Sequence, residues 1–463
     1  MPRCYVRACS RGKWVGGAFW GRMLPLHAVP PMGVVSPAVE APPLWMAVPF
    51  LLMLAGIAVI PLVLPHFWEK NRNKGILSAA LGVPVVAWTA WHEPAAIGHT
   101  ALEYTSFITL LGALFIISGG IVLRGNLVAT PRVNTAFLAL GAVLANVIGT
   151  TGASMLLIRP LLQTNAERKR LMHVPVFFIF VVSNCGGLLT PLGDPPLFLG
   201  YLRGVPFFWT LRLVLPWLFV VAILLAIFYV VDRVAVSHEK AADIALDLAF
   251  QEPLSLKGLV NFLYLGGVVA VVLVSPSLPE GWVRESVRLG VMAGMAVLSM
   301  ATTRKELREA NAFTFHPITE VAVLFAGIFA TMIPALEILR ARGPELGIAE
   351  PWQFFWLSGI LSSFLDNAPT YLTFASLAQG MGPGAETAVH MAGGPVSQPL
   401  LEAISCGAVF MGANSYIGNG PNFMVKAIAE ERGIKMPSFL AYMGWSAVIL
   451  LPIFGVVTLV FFR

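Results

Sequence analysis

Charge is scarce in this chain. Only 12% of its 463 residues are Asp, Glu, Lys or Arg, while 57% are hydrophobic. Soluble domains carry roughly 25% charged residues. That shortfall excludes an ordinary water-soluble globule and makes the lipid bilayer the expected solvent and partner. Cysteine is scarce as well. Cys4 and Cys9 lie near the amino terminus, and Cys185 and Cys406 stand far apart in apolar segments, so neither a disulfide framework nor a metal-ligand spacing is present. HExxH, GxSxG and Walker patterns are missing, and no large polar segment could house a nucleotide-driven motor. An enzyme is therefore not expected, nor is a bound cofactor. The formal net charge of +6 would hint at nucleic acid in a soluble protein. Here the basic residues sit mainly in loops beside apolar runs, where charge asymmetry across a membrane accounts for them and no nucleic-acid partner is needed.

Apolar runs near 20 residues supply what the charges do not. Twelve stand at about 44–64, 74–91, 100–123, 134–162, 174–202, 211–232, 259–275, 287–303, 319–338, 351–378, 402–429 and 439–462. They predict an all-α polytopic membrane protein with six elements in each half. Trp68, Trp88, Trp91, Trp209, Trp282 and Trp352 fall near run ends, as interfacial anchors do.

The two halves resemble each other. SNCGGLLTPLGDPPLF at 183–198 and ANSYIGNGPNF at 413–423 are variants of one motif, followed by RGVPFFW from Arg203 and RGIKMPSF from Arg432. Upstream, Glu103 and Glu320 open the third elements of the two halves. Asn146 in LANVIGTTGASMLL and Asn367 in LSSFLDNAPTYLTF mark the fourth. Each fourth element has a polar, Gly- or Pro-interrupted centre between apolar arms too short to span alone, and reads as a re-entrant hairpin. A hairpin enters and leaves on one face, so each half crosses the bilayer about five times. Two such halves in tandem must be inverted relative to each other. The expected organisation is an N-terminal extension at 1–43, a first inverted repeat at 44–232, a cytoplasmic linker at 233–258 and a second repeat at 259–463.

Loop charges favour an outside amino terminus. Lys70, Arg72, Lys74, Arg124, Arg132, Arg168, Lys169, Arg170, Arg233, Lys240, Lys257, Arg304, Lys305, Arg308, Arg432 and Lys435 then fall inside, while the outside loops hold Arg203, Arg284, Arg340 and Arg342, with Arg212 and Arg288 at adjoining span ends, and 92–99 and 379–401 carry no Lys or Arg. Arg3, Arg7, Arg11, Lys13 and Arg22 conflict with this. They belong to a Pro- and Gly-rich leader, for which Met23, Met32 or Met46 are alternative starts. VSHEKAADIALDLAFQEP in the linker predicts a short amphipathic helix, and 379–401 reads as a long flexible connection.

Broken helices expose carbonyls and amides at membrane depth and are tolerated only where they are buried in protein or line a cavity. They mark the site. Two oxygen cages are expected. One is built from Asn146, Thr150, Thr151 and Ser154 with Ser183, Asn184, Thr190 and Asp194. Its counterpart is built from Asp366, Asn367 and Thr370 with Asn414, Ser415, Asn419 and Asn422. Asp194 and Asp366 are the carboxylates, able to hold a proton or a transported sodium ion. The neutral groups could equally serve only to bond neighbouring helices. Glu103 and Glu320 are expected in headgroup water, Arg159 as a snorkelling residue, and His92, His99 and His173 solvated in loops.

NVIGTTGAS, SNCGGLLTPLGDPP, SSFLDNAPT and GANSYIGNGPNFMVKAIAE carry a resemblance over 44–462. The chain resembles the ion transporter superfamily, and within it the sodium/proton antiporters related to the NhaD type, neighbours of the citrate, dicarboxylate and arsenite permeases. The resemblance implies a dimerising scaffold, hence a homodimer, and a transport part with paired Asn-containing tips at Asn146 and Asn367. Ala145, Asn146, Val147 and Asp366, Asn367, Ala368 depart from the Ser-Asn-Thr tips of the dicarboxylate members, which bears against a carboxylate substrate. The expected function is exchange of a small ion, sodium or lithium, for protons across the cell's inner membrane. The alternative is sodium- or proton-coupled transport of citrate, a dicarboxylate or arsenite.

Overall fold

Each apolar run becomes helix, because in lipid a backbone must satisfy its own N–H and C=O groups. The structure, a computed structural model, describes residues 42–239, 252–279, 281–383 and 387–463. In chain order the helices of the first half are α1 (Val48–Val63), α2 (Pro65–Trp68), α3 (Asn71–His92), α4 (Pro94–Ser118), α5 (Pro131–Thr164), α6 (His173–Val181), α7 (Pro195–Leu202) and α8 (Val214–Ser237). Those of the second half are α9 (Val260–Val274), α10 (Trp282–Thr302), α11 (Lys305–Ala310), α12 (His316–Arg342), α13 (Pro351–Phe364), α14 (Asn367–Met381), α15 (Gln398–Met411), α16 (Gly420–Glu431) and α17 (Phe439–Phe461). Among the described residues, eight helical stretches are long and apolar enough to cross a membrane. The protein is an all-α polytopic membrane protein.

The interruptions fall at the glycine- and proline-rich centres. In α5 the break is at Gly149, whose φ of 77° and ψ of 156° suit a residue without Cβ. The two arms fold back on each other there. Asn134 and Asn165, 31 residues apart, exchange side-chain hydrogen bonds of 2.9 and 2.8 Å, whereas a straight helix would separate them by about 46 Å. In the second half Leu365 and Asp366 are extended and part α13 from α14. The gaps between α6 and α7 and between α15 and α16 match in detail. Gly187 and Gly193 touch in the first, Gly412 and Gly418 in the second, so closely that a Cβ on Gly193 or Gly418 would overlap the partner glycine's carbonyl oxygen. Both gaps end in an extended helix-capping residue, Asp194 before α7 and Asn419 before α16.

Outside this region the helices pack on aromatic and small residues. Phe107 of α4 stacks on Phe325 of α12 at 4.8 Å between ring centres, and the Ser78 hydroxyl of α3 donates to the Val323 carbonyl at 3.0 Å. The two Trp residues at 68 and 209 are buried, while Trp91, Trp282 and Trp352 are exposed.

Two small ribbons were not anticipated. β1 (Val122–Asn126) pairs antiparallel with β2 (Glu252–Lys257), placing strand where linker was expected. The amphipathic helix expected upstream lies largely at 240–251, outside the described residues. β3 (Ala388–Met391) and β4 (Gly394–Ser397) form a hairpin, which corrects the reading of 379–401 as a flexible connection. The turn is pinned: the Ala392 N–H donates to the Arg203 carbonyl at 2.6 Å, and the Gln379 amide donates to the Ala392 carbonyl at 3.1 Å. Gly- and Pro-rich composition marked a turn and hid the short strands flanking it.

Candidate functional site

The breaks satisfy one another. The Thr150 N–H, freed by the kink at Gly149, donates to the Gly193 carbonyl at 2.8 Å. Asn146 works as a staple: its amide nitrogen donates to the Ala142 and Gly186 carbonyls at 2.9 and 2.7 Å, and its Oδ1 accepts the Leu189 N–H at 2.7 Å. Its own carbonyl takes the Thr190 hydroxyl at 2.5 Å. Asn146 and Thr190 thus close the first broken helix onto the first hairpin tip. Ser154 and Ser183 join the same two elements through their hydroxyls at 2.9 Å. Thr151 is half-buried on the same arm.

Asp194 is the centre. Its side chain is only 1% exposed, and three neutral donors from both halves converge on it. Oδ1 accepts the Thr150 hydroxyl at 3.0 Å and the Asn419 amide at 3.1 Å, and Oδ2 accepts the Asn367 amide. The Asn419 amide also reaches the Ser183 carbonyl and Asn184 Oδ1, each at 3.2 Å. Asn184 in turn donates to Asn422 Oδ1 at 2.7 Å, and the Asn422 amide returns to the Gly412 and Ser415 carbonyls at 2.9 Å. The capping residues of the two gaps therefore face each other across the pseudo-symmetric junction, one acidic and one neutral.

Two separate cages do not form. The expected second carboxylate, Asp366, is half-buried and caps α14, its Oδ1 accepting the Ala368 N–H at 3.0 Å while its carbonyl accepts the Thr370 hydroxyl at 3.0 Å. Asn367 and Asn419, assigned to the second cage, point their amides at Asp194 instead. Asn414 and Ser415 turn toward α13, the Asn414 amide donating to Ser363 Oγ at 2.9 Å and the Ser415 hydroxyl to the Ser363 carbonyl. The reason is geometric: the residue equivalent to Asp194 is Asn419, so the motif supplies one carboxylate per pair of gaps. Asn367 Oδ1, on the side chain that reaches Asp194, and Asn414 Oδ1, beside α13, are buried without a hydrogen-bond partner among the described residues.

Other expectations need correction. Glu103 and Glu320 are ion-paired, with Arg203 at 3.0 Å and with the buried Lys74 at 2.7 Å. His92 and His99 are exposed, but His173 is buried. It joins a network that the sequence reading missed. Asp232, fully buried in α8, accepts from Arg168 Nη2 at 2.7 Å, His173 Nε2 at 2.8 Å and Asn134 Nδ2 at 2.9 Å. Arg168 also donates to Asn165 Oδ1 at 2.9 Å. This latch holds both ends of the α5 hairpin against α6 and α8. An aspartate near the end of an apolar run was the available signal. Arg159 keeps Nη1 buried and without a hydrogen-bond partner among the described residues, so it does not simply reach water as a snorkelling residue would.

A bundle of apolar helices whose broken segments meet around a buried carboxylate defines a membrane transporter. Residues 39–462 match the family described as "Putative citrate transport", and the chain belongs to that family. An uncharacterized transporter of Mycobacterium bovis and one of Mycobacterium tuberculosis are each 24% identical over 392 residues, covering 78% of this chain and 87% of the relative. The family is thus one of transporters rather than enzymes. Its description favours the citrate alternative over sodium/proton exchange.

Proposed function

We propose that this protein is a cation-coupled secondary transporter of citrate or a related di- or tricarboxylate, working in the cell's inner membrane, with Asp194 binding the coupling sodium ion or proton. The observation that carries the coupling is the convergence of Thr150, Asn367 and Asn419 on one buried carboxylate. Neutral donors hold a carboxylate in place without cancelling its charge, so a small cation remains the natural counter-charge. The anion rests on the family. In this reading α5 and the α13–α14 pair are re-entrant hairpins, and the repeats rock about the Asp194–Asn419 junction to alternate access.

Sodium/proton exchange without an anion is the second reading, favoured by the first turns of the site helices. Pro195 and Pro196 open α7, Pro369 stands in the first turn of α14 and Pro421 in that of α16. Proline has no N–H, so these helix starts offer fewer amides to an anion than their number implies. The two readings part in proteoliposomes. Citrate uptake that needs a sodium or proton gradient, and is lost in Asp194→Asn with insertion intact, supports the first. Proton movement driven by sodium chloride alone, with no anion required, would establish the second. Full coupled flux in Asp194→Asn would remove Asp194 from either mechanism.

A further inference from the structure

A cavity of about 780 Å³ opens beside the Asp232 latch, away from Asp194. Its polar end is lined by Arg168, Arg170, Arg432 and Lys435, and no carboxylate lines it among the described residues. The nearby acids stand outside its lining, Glu167 facing a separate cavity with Arg159. Asp232 holds Arg168 and His173, and Glu239 Oε1 accepts the backbone N–H groups of Lys169 and Arg170 at 3.0 and 2.8 Å. Arg168 is buried and its Nε has no hydrogen-bond partner among the described residues. So much positive charge around one concavity calls for an anion with several oxygens, and guanidinium groups match phosphate best.

The other end of the cavity is apolar and deeper. Val231 lies six residues before the end of α8, and Trp445 six residues after the start of α17, so both walls sit about 9 Å inside their helix ends. The cavity therefore runs from charged loops into apolar helix surface over roughly the depth of the headgroup layer. A free anion would use only the basic end. We propose that this cavity is a binding site for the phosphate headgroup of an anionic phospholipid, on the face that the loop charges assign to the cytoplasm. Basic pockets between membrane helices on that side take such headgroups. The bound phosphate joins the α5–α6 loop of the first half to the α16–α17 loop of the second, across the same junction that carries Asp194. Arg432 already bridges the halves by donating to Gln163 Oε1 at 2.6 Å.

The test is lipid binding by the full chain in neutral detergent, followed by native mass spectrometry with phosphatidylglycerol, phosphatidylcholine and glycerol 3-phosphate as probes. Phosphatidylglycerol is expected to bind at least about tenfold tighter than phosphatidylcholine. Arg170→Gln with Lys435→Gln should weaken it about thirtyfold. Removing the same charge from exposed Arg304 and Lys305, as Arg304→Gln with Lys305→Gln, should leave binding within about threefold. Equal loss in both double variants, or none in the first, would overturn the site. Competition by glycerol 3-phosphate as effective as the lipid would overturn the lipid and leave a soluble phosphate site.

Discussion

Asp232→Asn tests whether the latch holds the hairpin. The aspartate is fully buried, Arg168 is 5% exposed in its side chain, and the carboxylate accepts three hydrogen bonds. An asparagine of the same shape keeps one acceptor and introduces an NH2 that must face Arg168, His173 or Asn134, all donors or potential donors. Breaking a buried pair this way costs about 3–5 kcal/mol, because the guanidinium stays behind uncompensated. Removing both charges together is another matter. Asp232→Leu with Arg168→Met takes away the ion and its counter-ion, and such exchanges are commonly neutral to stabilising. Unfolding in mixed micelles of rising SDS fraction, followed by circular dichroism, gives the two losses side by side. The single variant should fall well below the double. A single-variant loss under about 1 kcal/mol, or a double-variant loss equal to the single, would refute the account of Asp232 as a buried counter-ion.

Two further outcomes follow from the glycines and the loop charges. Gly418→Ala would place a Cβ 2.7 Å from the Ser362 carbonyl oxygen and against Gly412, whereas Gly455 has open space around it. The first should cost about 1–3 kcal/mol in the same unfolding assay and the second alanine little; similar costs would discount the close approach of the gap backbones. For topology, cysteines replacing the exposed Arg170 and His390, in a chain with Cys4 and Cys9 changed to serine, should react with an impermeant maleimide from opposite faces of the membrane. Reaction from the same face would overturn the inverted arrangement.

The helices were legible because their signal is long. Runs of about twenty apolar residues have no alternative in lipid, and each of the twelve coincides with a helix or a broken pair. The breaks were legible for the same reason reversed: Asn146, Gly149, Asp194, Asn367 and Asn419 interrupt such runs. Partnership across the halves was not. Spacing shows that Asp194 and Asn419 hold equivalent places, but only folding shows them hydrogen-bonded to each other, and composition made Asp366 look like a second carrier when locally it serves as a helix cap. The burial of His173 is hidden by its place beside a loop, Asp232 closes an apolar run rather than interrupting one, and β1–β2 offer only five or six residues of strand, which leave little periodicity to read.

The clasp between Asn134 and Asn165 has a consequence for how the chain is made. During synthesis α5 leaves the ribosome before the segment that completes it. The Asn146 amide finds the Gly186 carbonyl 40 residues later, and the Thr150 N–H waits for Gly193. Until then the tip has unpaired backbone that hydrocarbon would not accept. Placing this tip in hydrocarbon is therefore costly until residues 186–193 arrive to pair with it. Asp194 waits longer still, since Asn419 follows it by 225 residues. The hydrogen-bond shell of the carboxylate is complete only after nearly the whole chain has been delivered.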